Sequence, residues 1–286
     1  VIGGVGLGTG LAFLREFYVG GFTSDRQLAD VLNVKAPASV PRMPDTSGRP
    51  VDLLVDQQLS LFAESFRRLR ASIDQTIGRA GNAHQKATVV MVASTLPGEG
   101  KTTTSLSLAR TYALSGKHTL LIDCDLRKPS IADFTKLNTA KNGLLDYLTT
   151  NDNDPRALEN IMCLDPMTDL ELIAAVGRSN RPTDQLLTST RFTDLLDKVC
   201  GHYDVVVIDT PPVLPVVDAR YLAQYADAIA LVVKWSETRQ QEVRQTLSIL
   251  NEAKRSDVPV FAVLNQQAAA RGKKAYQGYY GYSEAY

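Results

Sequence analysis

The stretch from Val89 to Thr104 reads VVMVASTLPGEGKTTT, and it decides how the rest of the chain is interpreted. Its first half is a short apolar run that predicts a buried β-strand, and its second half is a Pro/Gly turn followed by a predicted helix. Small residues in such a turn let backbone N–H groups converge on an anion, and the helix N-terminus adds the positive end of its dipole. The stretch therefore predicts a phosphate-binding loop.

The two residues that follow the last glycine are of the types that bind a triphosphate and its magnesium. In the pattern G-x-x-x-x-G-K-[ST], the lysine contacts phosphate oxygens and the hydroxyl residue binds Mg²⁺. Lys101 and Thr102 occupy these positions, whereas Thr95 stands where the pattern has its first glycine. A chance glycine-rich turn is the alternative, and the strand before and the helix after the loop disfavour it. The residues predicted to contact the nucleotide are Pro97, Gly98, Glu99, Gly100, Lys101, Thr102 and Thr103.

The composition narrows the classes of function. The 286 residues include 31 basic and 31 acidic side chains, so no basic excess favours nucleic acid as a partner. Three cysteines and three histidines are scattered without the spacing of metal ligands, which disfavours a zinc centre and a disulfide framework. We therefore expect no nucleic acid partner, and a reducing compartment.

The first 50 residues differ in character from the rest of the chain. Residues 1–14 are uncharged, carry glycines at small-xxx-small spacing and are followed by Arg15. They are fewer than the roughly 20 residues that span a bilayer. Because the chain does not begin with Met, we interpret them as the remnant of a transmembrane helix, with a plain apolar N-terminus as the alternative. Residues 15–50, which hold a short predicted helix and then several prolines, are interpreted as a juxtamembrane linker.

Apolar residues three and four apart predict one amphipathic helix between Asp52 and Arg79. Its opposite face carries Glu64, Arg67 and Arg70. These charges form ion pairs on a solvated surface in one interpretation. In the other interpretation, the guanidinium groups of the two arginines clamp carboxylates of a neighbouring subunit. The apolar positions are Leu59, Phe62, Phe66, Leu69, Ile73 and Ile77.

Two further apolar runs end in aspartate. Residues 119–122 predict a strand that leads into Asp123 and Asp125, and residues 203–208 predict a strand that leads into Asp209. In an open parallel sheet, ligands bind outside the carboxyl ends of the strands, so these carboxylates are expected in the same crevice as Lys101. An aspartate at the end of such a strand holds Mg²⁺ directly or through water in many nucleotide-binding proteins. For Asp123 and Asp125, the alternative is that they are polar only because they face solvent.

The rest of the pattern alternates between predicted strands and helices. Residues 170–176, 228–233 and 258–264 are buried-strand runs, and residues 237–253 form a helical pattern. This alternation predicts an α/β fold of the P-loop NTPase type, with a mostly parallel sheet flanked by helices on both faces. Asn265 ends the last strand, where its amide either contacts an adenine base or forms a turn.

The C-terminal segment 271–286 is rich in tyrosine and glycine. Interleaved glycines at a chain end disfavour a packed role, so we expect a flexible tail. A mobile tyrosine can enter an active site, and an aromatic tail without catalytic relevance is the alternative. The candidate acceptors are Tyr276, Tyr279, Tyr280, Tyr282 and Tyr286.

Together, these motifs resemble the bacterial tyrosine kinases of the exopolysaccharide and capsule co-polymerase family. Residues 95–102, 120–127 and 206–212 resemble the family's Walker A, Walker A′ and Walker B segments, and residues 64–70 fit its E-x-x-R-x-x-R motif. The related partition ATPases carry a signature lysine where this chain has Leu96, and eukaryotic H-R-D and D-F-G motifs are missing. Residues 51–270 are therefore expected to form the kinase domain.

The resemblance implies a mechanism and a cellular setting. It implies ATP and Mg²⁺ as cofactors and phosphorylation of the tail tyrosines in trans within a ring, with Glu64, Arg67 and Arg70 at the subunit interface. The expected partners are a membrane co-polymerase segment and a tyrosine phosphatase, at the cytoplasmic face of the inner membrane. A membrane-linked ATPase switch and an ATP-binding scaffold without kinase activity are the alternatives. The implied roles are catalysis by Lys101, Asp123, Asp125 and Asp209, metal binding by Thr102, Asp123 and Asp209, and nucleotide binding by Arg127 and Asn265.

Overall fold

The computed structural model describes residues 20–43, 48–79, 87–135, 142–150, 156–177 and 180–268. The predicted α/β fold with a mostly parallel sheet is confirmed. The proposed transmembrane remnant, residues 1–14, and the tyrosine-rich tail, residues 271–286, lie outside the described residues. Within the described ranges, none of the helices is both long enough and apolar enough to cross a membrane.

The strands of the described residues form one eight-stranded sheet. They are β1 (Lys35–Pro41), β2 (Thr88–Ser94), β3 (Thr119–Asp123), β4 (Met162–Leu164), β5 (Glu171–Ile173), β6 (Val205–Asp209), β7 (Ala228–Lys234) and β8 (Val260–Gln267). Their order in the sheet is β1-β8-β7-β2-β6-β3-β5-β4. Neighbouring strands are parallel except for the antiparallel pair β4 and β5.

Helices connect the parallel strands, as crossover connections require. They are α1 (Asp25–Leu32), α2 (Pro50–Asp56), α3 (Leu61–Arg79), α4 (Lys101–Ala113), α5 (Ile131–Thr135), α6 (Leu144–Thr149), α7 (Thr183–Leu187), α8 (Thr190–Cys200), α9 (Asp218–Ala223) and α10 (Gln240–Ala253). A 3₁₀ turn, Glu159–Ile161, precedes β4.

Two apolar cores cover the two faces of the sheet. Alternate residues of a strand point to opposite faces, and β2 shows this directly: Met91 belongs to one core, whereas Val90 and Val92 belong to the other. Helices α2, α3 and α4 contribute to the core around Val90, and α1, α8, α9 and α10 contribute to the core around Met91. Burial on both faces explains why the central strands are continuous apolar runs rather than alternating ones.

The interpretation of residues 15–50 as a linker is wrong for Lys35–Pro41. This segment is strand β1, which pairs in parallel with β8 at the edge of the sheet and buries Ala38 and Val40. Its prolines suggested a linker, but an edge strand tolerates proline because one side of its backbone needs no ladder partner. The Ser65 hydroxyl of α3 also donates to the Ser39 carbonyl (2.8 Å).

Residues before α1 also pack onto the domain instead of leading away from it. Phe22 is fully buried, and its carbonyl accepts a hydrogen bond from the Ser236 N–H (2.8 Å). The Trp235 indole N–H donates to the Thr23 carbonyl (3.0 Å). A Cβ added at Gly21 would come within 2.5 Å of the Ser236 backbone, so this close approach needs glycine.

The single helix predicted between Asp52 and Arg79 is also wrong, because the structure has two helices there. Residues 57–60 separate α2 from α3, and Leu59 in this connection is 73% exposed. Ser60 ends the interruption: its hydroxyl accepts from the Ala63 N–H (3.2 Å) and its carbonyl from the Glu64 N–H (2.9 Å), as at a helix N-cap. The apolar spacing is compatible with either arrangement, so the break depends on this cap.

A buried arginine anchors α4, the helix that begins at the phosphate loop. The Arg110 side chain is fully buried, and its Nη2 and Nε donate to the two carboxylate oxygens of Asp165 (2.8 and 3.1 Å). Its Nη1 donates to the Val51 carbonyl (2.6 Å) and to Asp52 Oδ1 (3.3 Å). Arg110 therefore ties α4 both to α2 and to the turn after β4.

Removing this charge should destabilise the domain strongly. We expect Arg110→Met to lower the free energy of unfolding in urea by about 3–5 kcal/mol, because the buried Asp165 carboxylate loses its partner. Adding Asp165→Asn should recover part of that loss. The control Arg68→Met, which removes an exposed partner of Glu64, should cost less than about 1 kcal/mol. An Arg110→Met effect as small as the control's would contradict the anchoring role.

Candidate active site

The strand register brings two aspartates together at the carboxyl edge of the sheet. Asp123 at the end of β3 is the direct register partner of Asp209 at the end of β6. On the other side of β6, Val92 of β2 is paired with Asp209, and the phosphate loop begins just beyond β2. The loop and both carboxylates therefore share one edge, as the strand-end pattern predicts.

The phosphate loop presents backbone donors without acceptors. Within the described residues, the N–H groups from Gly98 to Thr103 have no hydrogen-bond acceptor. Gly98 and Gly100 have left-handed backbone angles (φ 82° and 89°), which glycine adopts without strain. Because glycine has no side chain, it also leaves room for an incoming anion. Lys101 starts α4, so the helix N-terminus faces the same site. This arrangement fits a phosphate group.

Lys101 is the cation at the centre of the acidic cluster. Its Nζ lies 3.3 Å from Asp209 Oδ1 and 3.6 Å from Asp125 Oδ2, and the residue is 8% exposed. Burial alone lowers the pKa of the Lys101 ammonium, but chiefly the charges of Asp209 and Asp125 outweigh burial and raise this pKa above its ordinary value. Lys101 therefore stays charged and is available to phosphate oxygens.

Asp209 accepts hydrogen bonds from two hydroxyls of helix α4. Its Oδ2 accepts from the Thr102 hydroxyl (2.7 Å), and its Oδ1 accepts from the Ser105 hydroxyl (2.8 Å). The Thr102 hydroxyl also lies 3.0 Å from the Ser130 hydroxyl, at the start of α5. Sequence reasoning missed Ser105 and Ser130. Ser105 lies one helical turn after Lys101, and that spacing was the available signal.

Asp123 organises the loop that follows β3. Its carboxylate accepts three backbone N–H bonds, from Asp125 (3.1 Å), Ser130 (3.1 Å) and Ile131 (3.2 Å). Full burial and the neighbouring Asp209 charge raise the pKa of Asp123 to about 8, although the bonds from Ser130 and Ile131 oppose the rise. Asp123 therefore keeps a proton at neutral pH in the absence of a bound cation.

Asp125 is slightly less buried than Asp123, which is not exposed at all. The residue is 8% exposed, and its Oδ1 accepts from the Lys128 N–H (3.1 Å) while Oδ2 faces Lys101. Burial raises the pKa of Asp125, and the Lys101 charge pulls it back down. The net rise in its pKa makes Asp125 a stronger proton acceptor than an ordinary aspartate.

The guanidinium of Arg127 is held by an aspartate that the sequence patterns did not single out. Its Nε and Nη2 donate to the two oxygens of Asp218 (3.0 and 3.2 Å), and the Thr183 hydroxyl donates to Asp218 Oδ2 (2.6 Å). Asp218 is fully buried at the start of α9, whereas the Arg127 side chain is 46% exposed. The nucleotide-binding role of Arg127 stays a prediction, and the observed contact links the loop after β3 to α7 and α9.

Asn265 contacts the phosphate loop itself. Its Nδ2 donates to the Glu99 carbonyl (2.7 Å), and a Cβ added at Gly100 would lie 2.0 Å from that nitrogen. A side chain at Gly100 would displace the Asn265 amide from this contact, and the φ of 89° also disfavours any residue except glycine. The expected contact between Asn265 and an adenine base stays a prediction.

The available oxygen ligands suit magnesium with few protein contacts. Among the described residues, no group of three or more His, Cys, Asp or Glu side chains has the arrangement of a metal site. Mg²⁺ is usually held by one or two carboxylates together with substrate phosphates and water, rather than by a full protein cage. The Thr102 hydroxyl and the Asp209 and Asp123 carboxylates are oxygen donors of that kind, so the residues present fit the ion.

The side chains of the proposed interface are paired within the chain. Arg67 Nε donates to Glu64 Oε2 (2.9 Å), and Arg67 also bonds to the Gln58 carbonyl. Arg70 Nη1 donates to the Thr111 carbonyl (3.0 Å) at the end of α4. The interface stays a prediction. The proposed phosphoacceptor tyrosines lie outside the described residues.

Comparisons with known proteins give the family of this fold. The AAA domain family (AAA_31) matches residues 87–262. The chain is 34% identical over 197 residues to the succinoglycan biosynthesis transport protein ExoP of Rhizobium meliloti, covering 68% of this chain and 24% of ExoP. It is 32% identical over 225 residues to the tyrosine-protein kinase YwqD of Bacillus subtilis, covering 78% of this chain and 87% of YwqD.

A solved structure agrees with these relatives. The kinase domain of the Escherichia coli tyrosine kinase ETK superposes with a TM-score of 0.74 at 25% identity, covering 90% of this chain and 98% of that domain. The chain spans between a quarter and a third of the length of the longer curated relatives that it matches. The similarity is therefore to one part of those proteins.

The raised pKa of Asp123 predicts how stability depends on pH. Between about pH 4 and 8 the folded protein keeps a proton on Asp123, whereas the unfolded chain loses it near the ordinary value of 3.8. The folded state binds the extra proton, so its contribution to the free energy of unfolding falls as pH rises, by up to about 1.4 kcal/mol per pH unit.

Urea unfolding at pH 5.5, 6.5 and 7.5 measures this slope. We expect Asp123→Asn to be less stable than the wild type at low pH, because the amide cannot accept all three backbone bonds. Its stability should nevertheless fall less steeply with pH. Equal slopes in the two proteins would contradict the raised pKa of Asp123.

Proposed function

The chain belongs to the bacterial tyrosine kinase family, and from that premise we propose that it is an ATP-dependent protein-tyrosine kinase that phosphorylates its own C-terminal tyrosines in trans. The observation that carries the proposal is the cluster of Lys101, Thr102 and Asp209 beside the open N–H groups of the phosphate loop. Such a cluster positions a triphosphate and neutralises its charge, and these effects supply most of the catalysis in phosphoryl transfer.

The donor side of the reaction is built from the loop and two carboxylates. The N–H groups of residues 98–103 and the Lys101 ammonium hold the phosphates of ATP. The Thr102 hydroxyl and the carboxylates of Asp209 and Asp123 would hold magnesium, directly or through water. When bound, the ion neutralises charge on the β- and γ-phosphate oxygens. A cation bound there would favour the charged form of Asp123, because it would offset the repulsion from Asp209.

Asp125 is the better placed of the two candidate proton acceptors. A tyrosine hydroxyl has a pKa near 10, so its attack is assisted by a carboxylate that takes the proton as the new bond forms. Asp123 is fully buried and its oxygens accept three backbone bonds, whereas Asp125 is 8% exposed beside Lys101 and accepts one backbone bond, from Lys128. This geometry favours Asp125 as the acceptor.

The acceptor tyrosines come from a neighbouring subunit in this proposal. Tyr276, Tyr279, Tyr280, Tyr282 and Tyr286 follow the last strand, and α3 presents Glu64 and Arg67, each more than one-third exposed, toward a possible partner. We place the ring at the cytoplasmic face of the inner membrane, with a co-polymerase segment and a tyrosine phosphatase as partners. The ExoP relative, a succinoglycan biosynthesis transport protein, supports a role in exopolysaccharide or capsule polymerisation and export.

One experiment separates kinase, ATPase switch and scaffold. The protein is incubated with ATP and Mg²⁺, and phosphotyrosine and released phosphate are both measured. A kinase gives phosphotyrosine, and Lys101→Met should lower its rate at least about a hundredfold because a phosphate-neutralising charge is lost. The matched control Lys198→Met changes an exposed lysine of α8 and should retain the wild-type rate. Phosphate release without phosphotyrosine would indicate an ATPase switch, and neither product would indicate a scaffold.

Phosphorylation of the tail should weaken the oligomer. Each phosphate adds about −1.5 to −2 charges, so several on one tail repel one another and the acidic site. We expect the variant with all five tail tyrosines changed to Phe to remain oligomeric after incubation with ATP, while the wild type dissociates. Native mass spectrometry before and after incubation measures this difference. Equal dissociation in both proteins would contradict charge repulsion as the cause.

A further inference from the structure

The side chain of Glu99 is buried, although the residue belongs to the phosphate loop. It is 2% exposed, and its Oε2 accepts from the Leu96 N–H (2.7 Å). Its Oε1 accepts from the Lys234 N–H (3.4 Å) and from the Thr238 hydroxyl. The carboxylate therefore joins the start of the loop to the end of β7 and to the turn that precedes α10.

The backbone of Glu99 is held from a second strand. The Asn265 amide, in β8, donates to the Glu99 carbonyl and fills the space beside Gly100. The end of β7 and the end of β8 thus hold the same residue, one through its side chain and the other through its main chain. Thr238 lies 139 residues from Glu99, so sequence proximity does not produce the contact.

These external contacts matter because the glycines leave the loop backbone many accessible conformations. Gly98 and Gly100 adopt positive φ, and glycine has more accessible backbone conformations than other residues. Convergent N–H groups with no acceptor also repel one another. A loop held in the binding conformation loses less conformational entropy when an anion arrives, and its donors need no reorganisation.

The surroundings of Glu99 show that burial of this carboxylate needs compensation. Burial raises the pKa of Glu99, and the hydrogen bonds from Thr238 and from backbone N–H groups pull it back down. Removing a donor from a buried carboxylate costs more than removing one from a neutral acceptor. The Thr238 hydroxyl is therefore a sensitive point of the arrangement.

We propose that Glu99 is the positioning residue of the phosphate loop and that Thr238 holds its carboxylate, so this contact sets the affinity for the nucleotide. The inference rests on the proposed function, because it takes the loop to bind ATP. Both side chains are buried, and the Glu99 carboxylate accepts its hydrogen bonds from protein groups. Their effect passes through the orientation of the N–H groups around Gly100.

Thr238→Val and Thr238→Ser form a matched pair for the test. Valine keeps the shape of threonine and removes the hydroxyl, whereas serine keeps the hydroxyl. We expect Thr238→Val to raise the Kd for ADP with Mg²⁺ about tenfold in isothermal titration calorimetry, and Thr238→Ser to stay within about threefold of the wild type. The control Thr246→Val removes a fully buried hydroxyl inside α10, which donates to the Glu242 carbonyl. This change should leave the Kd unchanged.

Kinetics distinguish positioning from chemistry. Thr238→Val should raise the KM for ATP and leave kcat within about twofold of the wild type. Glu99→Gln should weaken ADP binding to a similar extent and provides the test if Thr238→Val fails to fold. Combining the two changes should add little to either alone, because both break one contact.

The outcomes separate this inference from the proposed function. No binding of ADP by the wild type would overturn both. Binding by the wild type with an unchanged Kd in Thr238→Val would overturn this inference alone, as would a fall in kcat with an unchanged KM. Equal weakening in Thr238→Val and Thr246→Val would also overturn it, since any lost buried hydroxyl would then suffice.

Discussion

Two carboxylates stand side by side at the ends of β3 and β6, where the sheet register pairs Asp123 directly with Asp209 and where both are fully buried. Burial and the neighbouring Asp209 charge keep a proton on Asp123, and the buried Asp209 carboxylate needs cations or donors to compensate its charge. The Lys101 ammonium and the hydroxyls of Thr102 and Ser105 reach Asp209, and three backbone N–H groups reach Asp123. The positions of the phosphate loop, of α4 and of the loop after β3 follow from this need.

The sheet order makes that compensation possible. Strand β6 lies between β2 and β3, so the helix that follows β2 starts beside Asp209 and carries Lys101 to it. The same helix is fixed further along by Arg110, whose guanidinium bonds to Asp165 and to the backbone of α2. An error in the position of α4 would separate the lysine from its carboxylates. A buried ion pair far from the site therefore supports the geometry of the site.

Several departures from ordinary packing lie at this edge of the sheet. The paired aspartates and the Glu99 carboxylate are buried, and each would lower the stability of the folded chain without the donors that surround it. Elsewhere the central strands are apolar on both faces and need no such compensation. Unfavourable local features that surrounding structure holds in place are typical of binding and catalytic sites. A bound, metal-neutralised phosphate would satisfy several of them together.

Several features of the protein follow from the sequence alone. The apolar runs that end in Asp123 and Asp209 predict buried parallel strands, and the glycines and Lys101 after β2 predict an anion site at their carboxyl ends. These predictions succeed because strand burial, loop flexibility and helix dipoles act over a few neighbouring residues. The family resemblance rests on the same local motifs.

Other features depend on tertiary contacts that no local pattern encodes. The prolines of Lys35–Pro41 suggested a linker, and pairing with β8 at the sheet edge made the segment a strand. Arg127 meets Asp218, 91 residues away, and Glu99 meets Thr238 only because β7 ends beside the phosphate loop. The hydrophobic pattern determines which segments become strands and which faces are buried. The spatial order of the strands in the sheet decides which distant side chains meet. That order is set by the packing of the whole sheet.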